Sequence, residues 1–349
     1  MMRRLKNTNG KDRGTVLLTT LLIMTVMAAI TVALMEDIRF AVKRTINVHA
    51  YAQVDWQASG AEDFVLAFLQ NDFAALPPIG KATLLESGEP LILPTPAGAI
   101  TLTIKDASHC FNLNSVINGE GEREEEAVLE FGGLAQLLGL PQNQATNFAG
   151  VLVDWQDANQ QQSQNGAEDG TYLRKIPPYR TSDTALRGPE EMRALHGMDE
   201  DLWELFKPFV CTGEPGLRAA VNVNSLAPER LLILAAAIAG ENSASEAVPA
   251  AEAALRDRPL EGYTSPEQLE QTLNAAGVEG LNISRAGIDV QSVFVEVVTQ
   301  VGPAERVRTY RYDGLGVDTD TPRLTYRGWG RETFRPEIRN ELETAQDAP

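Results

Sequence analysis

A chain of 349 residues has room for an anchor plus one large or two smaller domains. With 48 Asp and Glu against 30 Lys and Arg, its formal charge is −18; a surface this acidic repels phosphate backbones and argues against nucleic acid as the main partner. Dispersed carboxylates also suit a hard cation such as Ca²⁺, and solubility in an exported domain accounts for them equally well.

The chain opens on a basic leader, residues 1–14, with Arg3, Arg4, Lys6, Lys11 and Arg13 against Asp12. It runs straight into residues 15–35, which are 21 uncharged and mostly apolar positions. About 20 such residues at ~1.5 Å rise span the ~30 Å core of a bilayer, and the basic flank stays cytoplasmic, so the rest is expected outside. A secretory signal peptide is cut after its apolar run. Here the small residue, Gly14, precedes the run, and a cut there leaves the hydrophobic helix on the mature protein. The arrangement resembles the leader of type IV pilins and pseudopilins; a plain uncleaved anchor looks similar.

Beyond the apolar run, Ile38, Val42 and Ile46 step by four, and Phe64, Val65, Phe68 and Leu69 mark one face at helical spacing. The first proline is Pro77, so the pattern predicts one helix over 15–71, half in lipid and half packed on a soluble domain. Pro77, Pro78 and Gly80 end it. Strand-like pieces follow at 91–93, 99–104 and 110–113, the first two joined by a turn at Gly98, so that 72–118 reads as the first part of a sheet. Residues 286–313 read as its second part, with strands at 290–301 and 306–312. Between them, short amphipathic runs at 127–138, 144–155, 189–195, 199–206, 228–239, 246–255 and 266–275 predict a helical insertion over 119–285. It divides into two subdomains, about 119–215 and 216–285. Ser265 followed by Pro266 and Gln268 has the chemistry of a helix start. The tail, 314–349, is charged and carries scattered Pro and Gly, so it is expected to be loosely ordered. The predicted class is α+β: a long N-terminal transmembrane helix on a small antiparallel sheet, with a large all-helical domain inserted between strands.

Asn112-Leu113-Asn114-Ser115 recurs as Asn222-Val223-Asn224-Ser225. Such residues end strands and cap helices, so the echo reads as structural punctuation and hints at two similar subdomains. The most suggestive chemistry lies in 154–172, where Asp154, Asp157, Glu168 and Asp169 surround a Gln-rich loop containing Asn159. Ca²⁺ takes about 6–8 oxygens in a flexible cage, which two acidic clusters joined by a loop can supply. The spacing is not that of an EF-hand, and a solvated acidic loop has the same composition. Cys110 and Cys211, beyond the membrane in an oxidising compartment, are expected to pair; in a cytoplasmic chain they would be buried thiols. His49, His109 and His196 are isolated, and no nucleophile elbow, zinc motif, P-loop or dinucleotide fingerprint is present. Gly132-Gly133 reads as a turn between helices, and Trp155 and Trp203 as core.

The segments RGTVLLTTLLIMTVMAAITVAL, FNLNSVI, LVDWQDAN, GAEDGTY, IPPYR and AVNVNSLAPE, in this order and spacing, cover most of residues 13–270. Together they resemble minor pseudopilin K of the type II secretion system. The resemblance implies a pilin fold carrying an inserted helical domain. It implies that a prepilin peptidase cuts between Gly14 and Thr15 and methylates the new amine. Most pseudopilins carry Glu at mature position five, where this chain has Thr19; the K family also lacks that Glu. A subunit without it cannot neutralise the N-terminal ammonium of a subunit ahead of it, which suits the first position of a filament. Implied partners are minor pseudopilins I and J, with H and the major pseudopilin as further neighbours. Ca²⁺ in the helical domain is implied too, with Asp157, Glu168 and Asp169 as the best ligands and Asp154 and Asn159 beside them. Asn159 stands where the family often has a carboxylate, so a weaker site or one fewer ion is expected. The implied role is non-enzymatic: a single-pass inner-membrane subunit with its bulk in a Gram-negative periplasm, starting the pseudopilus and serving export across the outer membrane. The alternative is a signal-anchored periplasmic hydrolase with a helical catalytic domain. A DNA-uptake module, a third reading, is opposed by the charge.

Overall fold

The computed structural model describes residues 11–240, 242–315 and 322–329. Leader residues 1–10 lie outside them. Helix α1 (Lys11–Phe68) begins four residues before the predicted boundary and continues through a π-turn, Leu69–Phe73. The apolar half holds its threonines without cost: Thr19 Oγ1 donates to the Val16 carbonyl at 2.9 Å, Thr25 Oγ1 to Leu22 at 2.8 Å and Thr31 Oγ1 to Met27 at 2.8 Å. Each hydroxyl is thus satisfied inside the helix, as a lipid-facing segment requires. The buried stripe runs through Ala50, Val54, Ala58, Ala61, Val65, Leu69 and Phe73. Phe64, read with this face, is exposed, because the stripe drifts away from it.

Pro77 and Pro78 do close α1, but they also open a second helix, α2 (Pro78–Ser87), which the sequence reading did not anticipate. Pro78 sits in its first turn, where the absent N–H has no partner to lose, and Gly88 (φ 57°) ends it in a left-handed cap. Strands β1 (Leu91–Thr95) and β2 (Gly98–Asp106) form the hairpin, with Thr95 opposite Gly98. Only glycine fits at 98, since a Cβ there would lie 1.8 Å from the Gln300 carbonyl oxygen.

The chain then leaves the sheet for the helical domain. Its first subdomain carries β3 (Phe111–Asn112), α3 (Glu125–Leu137), α4 (Gln142–Gln156), the short α5 (Asp169–Tyr172), α6 (Glu200–Phe206) and β4 (Val210–Cys211). The second carries β5 (Val221–Asn222), α7 (Leu231–Ile238), α8 (Ala244–Arg256), α9 (Pro266–Ala275) and β6 (Ala286–Gly287). Of residues 110–113, expected in the main sheet, Phe111 and Asn112 instead form β3, which pairs in parallel with β4; β5 and β6 repeat that pairing in the second subdomain. A single apolar core spans both subdomains, with Phe131 5.3 Å from Phe111 and 5.6 Å from Phe206. Gly132-Gly133 is not a turn. Both residues lie within α3, and a Cβ on Gly133 would sit 3.0 Å from Ala244 Cβ, so glycine permits the close approach of α8.

The chain returns as β7 (Ser292–Val301), β8 (Ala304–Asp313) and β9 (Arg323–Trp329). The five-stranded sheet runs β1-β2-β7-β8-β9, antiparallel throughout, and β2 pairs with β7 from Gly98–Val301 to Asp106–Val293. β9 lies within the tail over 314–349 that the sequence predicts to be loosely ordered; residues 316–321 and 330–349 of that tail lie outside the described ones. The strand's charges are placed rather than free: Arg327 pairs with Glu62 on α1, and Arg323 bonds Glu214 at 2.7 Å. One sheet face, through Leu102, Ile104, Val293, Val295, Val297, Tyr310 and Tyr312, packs on Ala61, Val65, Leu69 and Phe73 of α1.

Candidate metal centre

Helix α4 ends in a run of buried residues that includes Asp154, Trp155 and Gln156, with Asp157 as its C-cap. Asp154 is sealed. Both its carboxylate oxygens accept from the Ser163 N–H at 3.1 Å, and Gly166 crosses so closely that a Cβ would lie 2.0 Å from Asp154 Oδ2. The returning loop delivers Glu168, also buried, at the start of α5. One carboxylate oxygen from each of Asp154, Asp157 and Glu168 lies within 4.8 Å of the others. Among the described residues, Asp157 Oδ1 and both Glu168 oxygens accept no hydrogen bond. Burial first, then repulsion from Asp154, pushes the Asp157 carboxyl up to about 6. The same two causes, with Asp157 added, push Glu168 up to about 7.

Asp183 adds to this field at both groups. It is exposed, held at φ 51° with its N–H donating to the Trp155 carbonyl at 3.1 Å. Nothing local in the sequence marks it, because it stands alone beyond the loop and only the fold returns it to Trp155. Asp169 faces elsewhere: it accepts from Arg180 Nη1 at 2.7 Å and from the Thr181 N–H and hydroxyl at 3.1 and 3.0 Å. It therefore ties down the strap that carries Asp183 and stands outside the three-carboxylate cluster. Asn159 is exposed; its side chain accepts from the Gln161 N–H at 2.7 Å, and its hydrogen bonding to Asp157 opposes the upward shift there. Below the cluster, Trp155 meets Tyr172 edge-on at 5.1 Å, and Tyr179 packs on Tyr172 at 5.3 Å. Lys175 Nζ bonds the Tyr179 hydroxyl at 2.8 Å. Oxygen-only donors, buried, repelling one another and short of hydrogen bonds, fit a divalent hard cation.

Cys110 and Cys211 are bonded, with their Cα atoms 5.7 Å apart, and close the base of the first subdomain beside β3 and β4. Arg311 on β8 reaches the Cys211 sulfur at 3.3 Å and the Thr212 carbonyl at 3.2 Å, while its Nε bonds Asp313 at 2.9 Å. The repeated asparagines do the same work twice. Asn112 and Asn222 each accept from the backbone N–H two residues on, at 3.2 and 3.1 Å. Asn114 clamps Leu186 and Gly213, and Asn224 clamps Tyr263 and Ile288. Gly14 and Thr15 lie inside α1, and Thr15 is exposed. The helix is long and apolar enough to cross a membrane, with mean hydropathy 2.4 over its best window.

An exposed membrane-length helix laid on an antiparallel sheet, with a helical domain spliced between neighbouring strands β2 and β7, defines a pilin-like subunit of enlarged form. Residues 109–214 match the family model described as type II secretion system (T2SS), protein K. Over 305 residues the chain is 31% identical to type II secretion system protein K of Pectobacterium carotovorum subsp. carotovorum, covering 85% of this chain and 90% of the relative. It is 34% identical over 275 residues to the Klebsiella pneumoniae protein K, covering 77% and 83%. The chain belongs to the type II secretion system protein K family, one kind of minor pseudopilin of that system. In fold it resembles a chain of the GspK-GspI-GspJ complex from enterotoxigenic Escherichia coli, at TM-score 0.62 and 23% identity over 83% of this chain and all of that one.

Proposed function

We propose that the chain caps the pseudopilus as a non-enzymatic subunit, single-pass in the inner membrane before assembly and with its bulk in the periplasm. There it helps initiate the filament and export across the outer membrane. One observation carries the reading. The β7–β8 turn, Val301 and Ala304, packs on Ala50 and Val54, nearest the apolar half of α1. The helical domain leaves and rejoins the sheet at its other end, beside Asp106 and Ser292. The extra mass thus stands at the end of the subunit remote from the membrane segment, where it crowns a filament without obstructing subunits below.

Prepilin peptidase would release Thr15 by cutting after Gly14 and methylate its amine, leaving α1 as the anchor until extraction. Thr19 offers no carboxylate for a neighbour's ammonium, in keeping with a first subunit. Subunits I and J, found with GspK in the solved complex, are the proposed partners; H and the major pseudopilin would follow in the shaft. Ca²⁺ would be held by Asp154, Asp157 and Glu168 with Asp183 adjacent, supplying the positive charge that these carboxylates lack and fixing the loop over 158–167. Asp169 and Asn159 would support the loop rather than ligate.

Co-expression of the full chain with its I and J counterparts, extracted in mild detergent, tests the reading. A stable three-subunit complex is expected. A chain that stays alone while the other two associate would overturn it.

A further inference from the structure

Among the described residues four basic side chains are buried: Lys81, Arg230, Arg285 and Arg311. Three are compensated. Lys81 Nζ lies 3.0 Å from both carboxylate oxygens of Asp289, and Arg285 reaches Glu130 at 3.2 and 3.3 Å. Arg311 bonds Asp313 at 2.9 and 3.1 Å. Arg230 is 6% exposed, yet among the described residues no carboxylate or carbonyl takes a hydrogen bond or ion pair from its guanidinium. The Phe209 ring lies 5.5 Å from it, and the adjacent, exposed Glu229 contributes charge that opposes the effect of burial without bonding the fork. Burial pulls the guanidinium down to about 10, so it remains a cation at neutral pH. At 6% exposure the residue keeps a small opening to solvent. That opening lies at the junction of the subdomains. Phe209 precedes β4 of the first, while Arg230 is the N-cap of α7 in the second, beside exposed Ala227, Pro228 and Glu229.

We propose that Arg230 receives a carboxylate, an Asp or Glu side chain of a neighbouring subunit in the filament, between the Phe209 ring and the amino end of α7. A planar fork of donors matches a planar carboxylate bidentately, and the positive end of a helix favours the same charge. A single cation balances a single carboxylate; a phosphate dianion would leave negative charge in the recess. The chain is acidic overall, at −18, and would repel an acidic partner surface except at such a recessed cation. One attractive point in a repulsive field fixes register more than it adds affinity.

The inference rests on the assembly reading above, and the test separates the two. The full chain and its Arg230→Met and Arg230→Lys variants are titrated in detergent against the purified I–J pair, and each is also melted alone. Arg230→Met is expected to weaken association at least about tenfold, with Arg230→Lys between it and wild type. Its own thermal midpoint is expected to hold or rise, because a buried charge with no hydrogen-bonded carboxylate has gone. Equal affinity in wild type and Arg230→Met would overturn the proposal. A lower midpoint for isolated Arg230→Met would also overturn it, by assigning the guanidinium a partner inside this chain. Failure of the wild-type chain itself to bind would overturn the assembly reading and this inference with it.

Discussion

Glu168 is the residue whose environment is most at odds with its charge. Buried beside Asp154 and Asp157, with neither oxygen hydrogen-bonded among the described residues, it is pushed up to about 7, and Asp157 to about 6. In the unfolded chain both would titrate near 4. Raised carboxyls add stability that is complete below the unfolded value and is lost as pH rises through the folded one. In chelator, the full chain should therefore melt at a progressively lower temperature between pH 4 and pH 8. Ca²⁺ should reverse the loss at the upper end. Glu168→Gln should raise the chelated midpoint at pH 8 by roughly 2–4 °C and abolish the response to Ca²⁺. Thermal melts with and without the ion check both; an unchanged Ca²⁺ response in Glu168→Gln would remove this residue from the site. The sequence favours Asp157, Glu168 and Asp169, with Asp154 and Asn159 beside them; the fold gathers Asp154, Asp157 and Glu168, with Gly166 closing the Gln-rich loop over Asp154. Asp169, one residue on, turns to Arg180 and Thr181 instead, and Asp183 is too far along the chain for any local pattern to reach, joining only through the strap that Asp169 holds.

At the scale of elements, β3 and β4 are two residues each, too short to hold the base of a subdomain by pairing alone. The Cys110–Cys211 bond spans a sequence separation of 101 at that point. Closing so long a loop removes substantial chain entropy from the unfolded state, so the double variant Cys110→Ala/Cys211→Ala should lose about 2–5 kcal/mol. Denaturant unfolding of the full chain in detergent measures it, and reductant on the wild type should reproduce the shift; no shift in either would mean that packing alone closes the base. Most elements were legible because their pattern is local: the four-residue stripe of α1, the β-rich runs of β7 and β8, and the Ser265-Pro266 start of α9, where Ser265 accepts from the Gln268 N–H at 3.4 Å. The misses share a cause. Locally, prolines signal a stop where Pro78 also begins α2, paired glycines signal a turn where helix contact needs them, and charge signals looseness where, within β9, Arg323 and Arg327 find distant partners. In each case a distant neighbour decides the local state, and no window of sequence contains it.

For the whole molecule, two features would keep the chain at the proposed tip of a filament, and they can be separated. One is electrostatic: Thr19, its hydroxyl turned to the Val16 carbonyl, presents no charge to a neighbour's ammonium. The other is steric: α1, 58 residues and about 85 Å long, carries a five-stranded sheet, and the domain over 107–291 outweighs that sheet at the end remote from the apolar half. On that proposal a missing carboxylate would lower the affinity of this subunit for a place in the shaft, whereas a bulky domain would forbid it, because each subunit above would have to pass through the volume that domain fills. Steric exclusion is the stronger term, since overlap cannot be offset by one buried ion pair. Thr19→Glu should accordingly leave the chain at one copy per filament. Counting fluorophore-labelled copies along sheared pseudopili measures this directly. Copies of Thr19→Glu distributed along the shaft would show that the absent charge, and not the helical domain, confines the wild type to the tip.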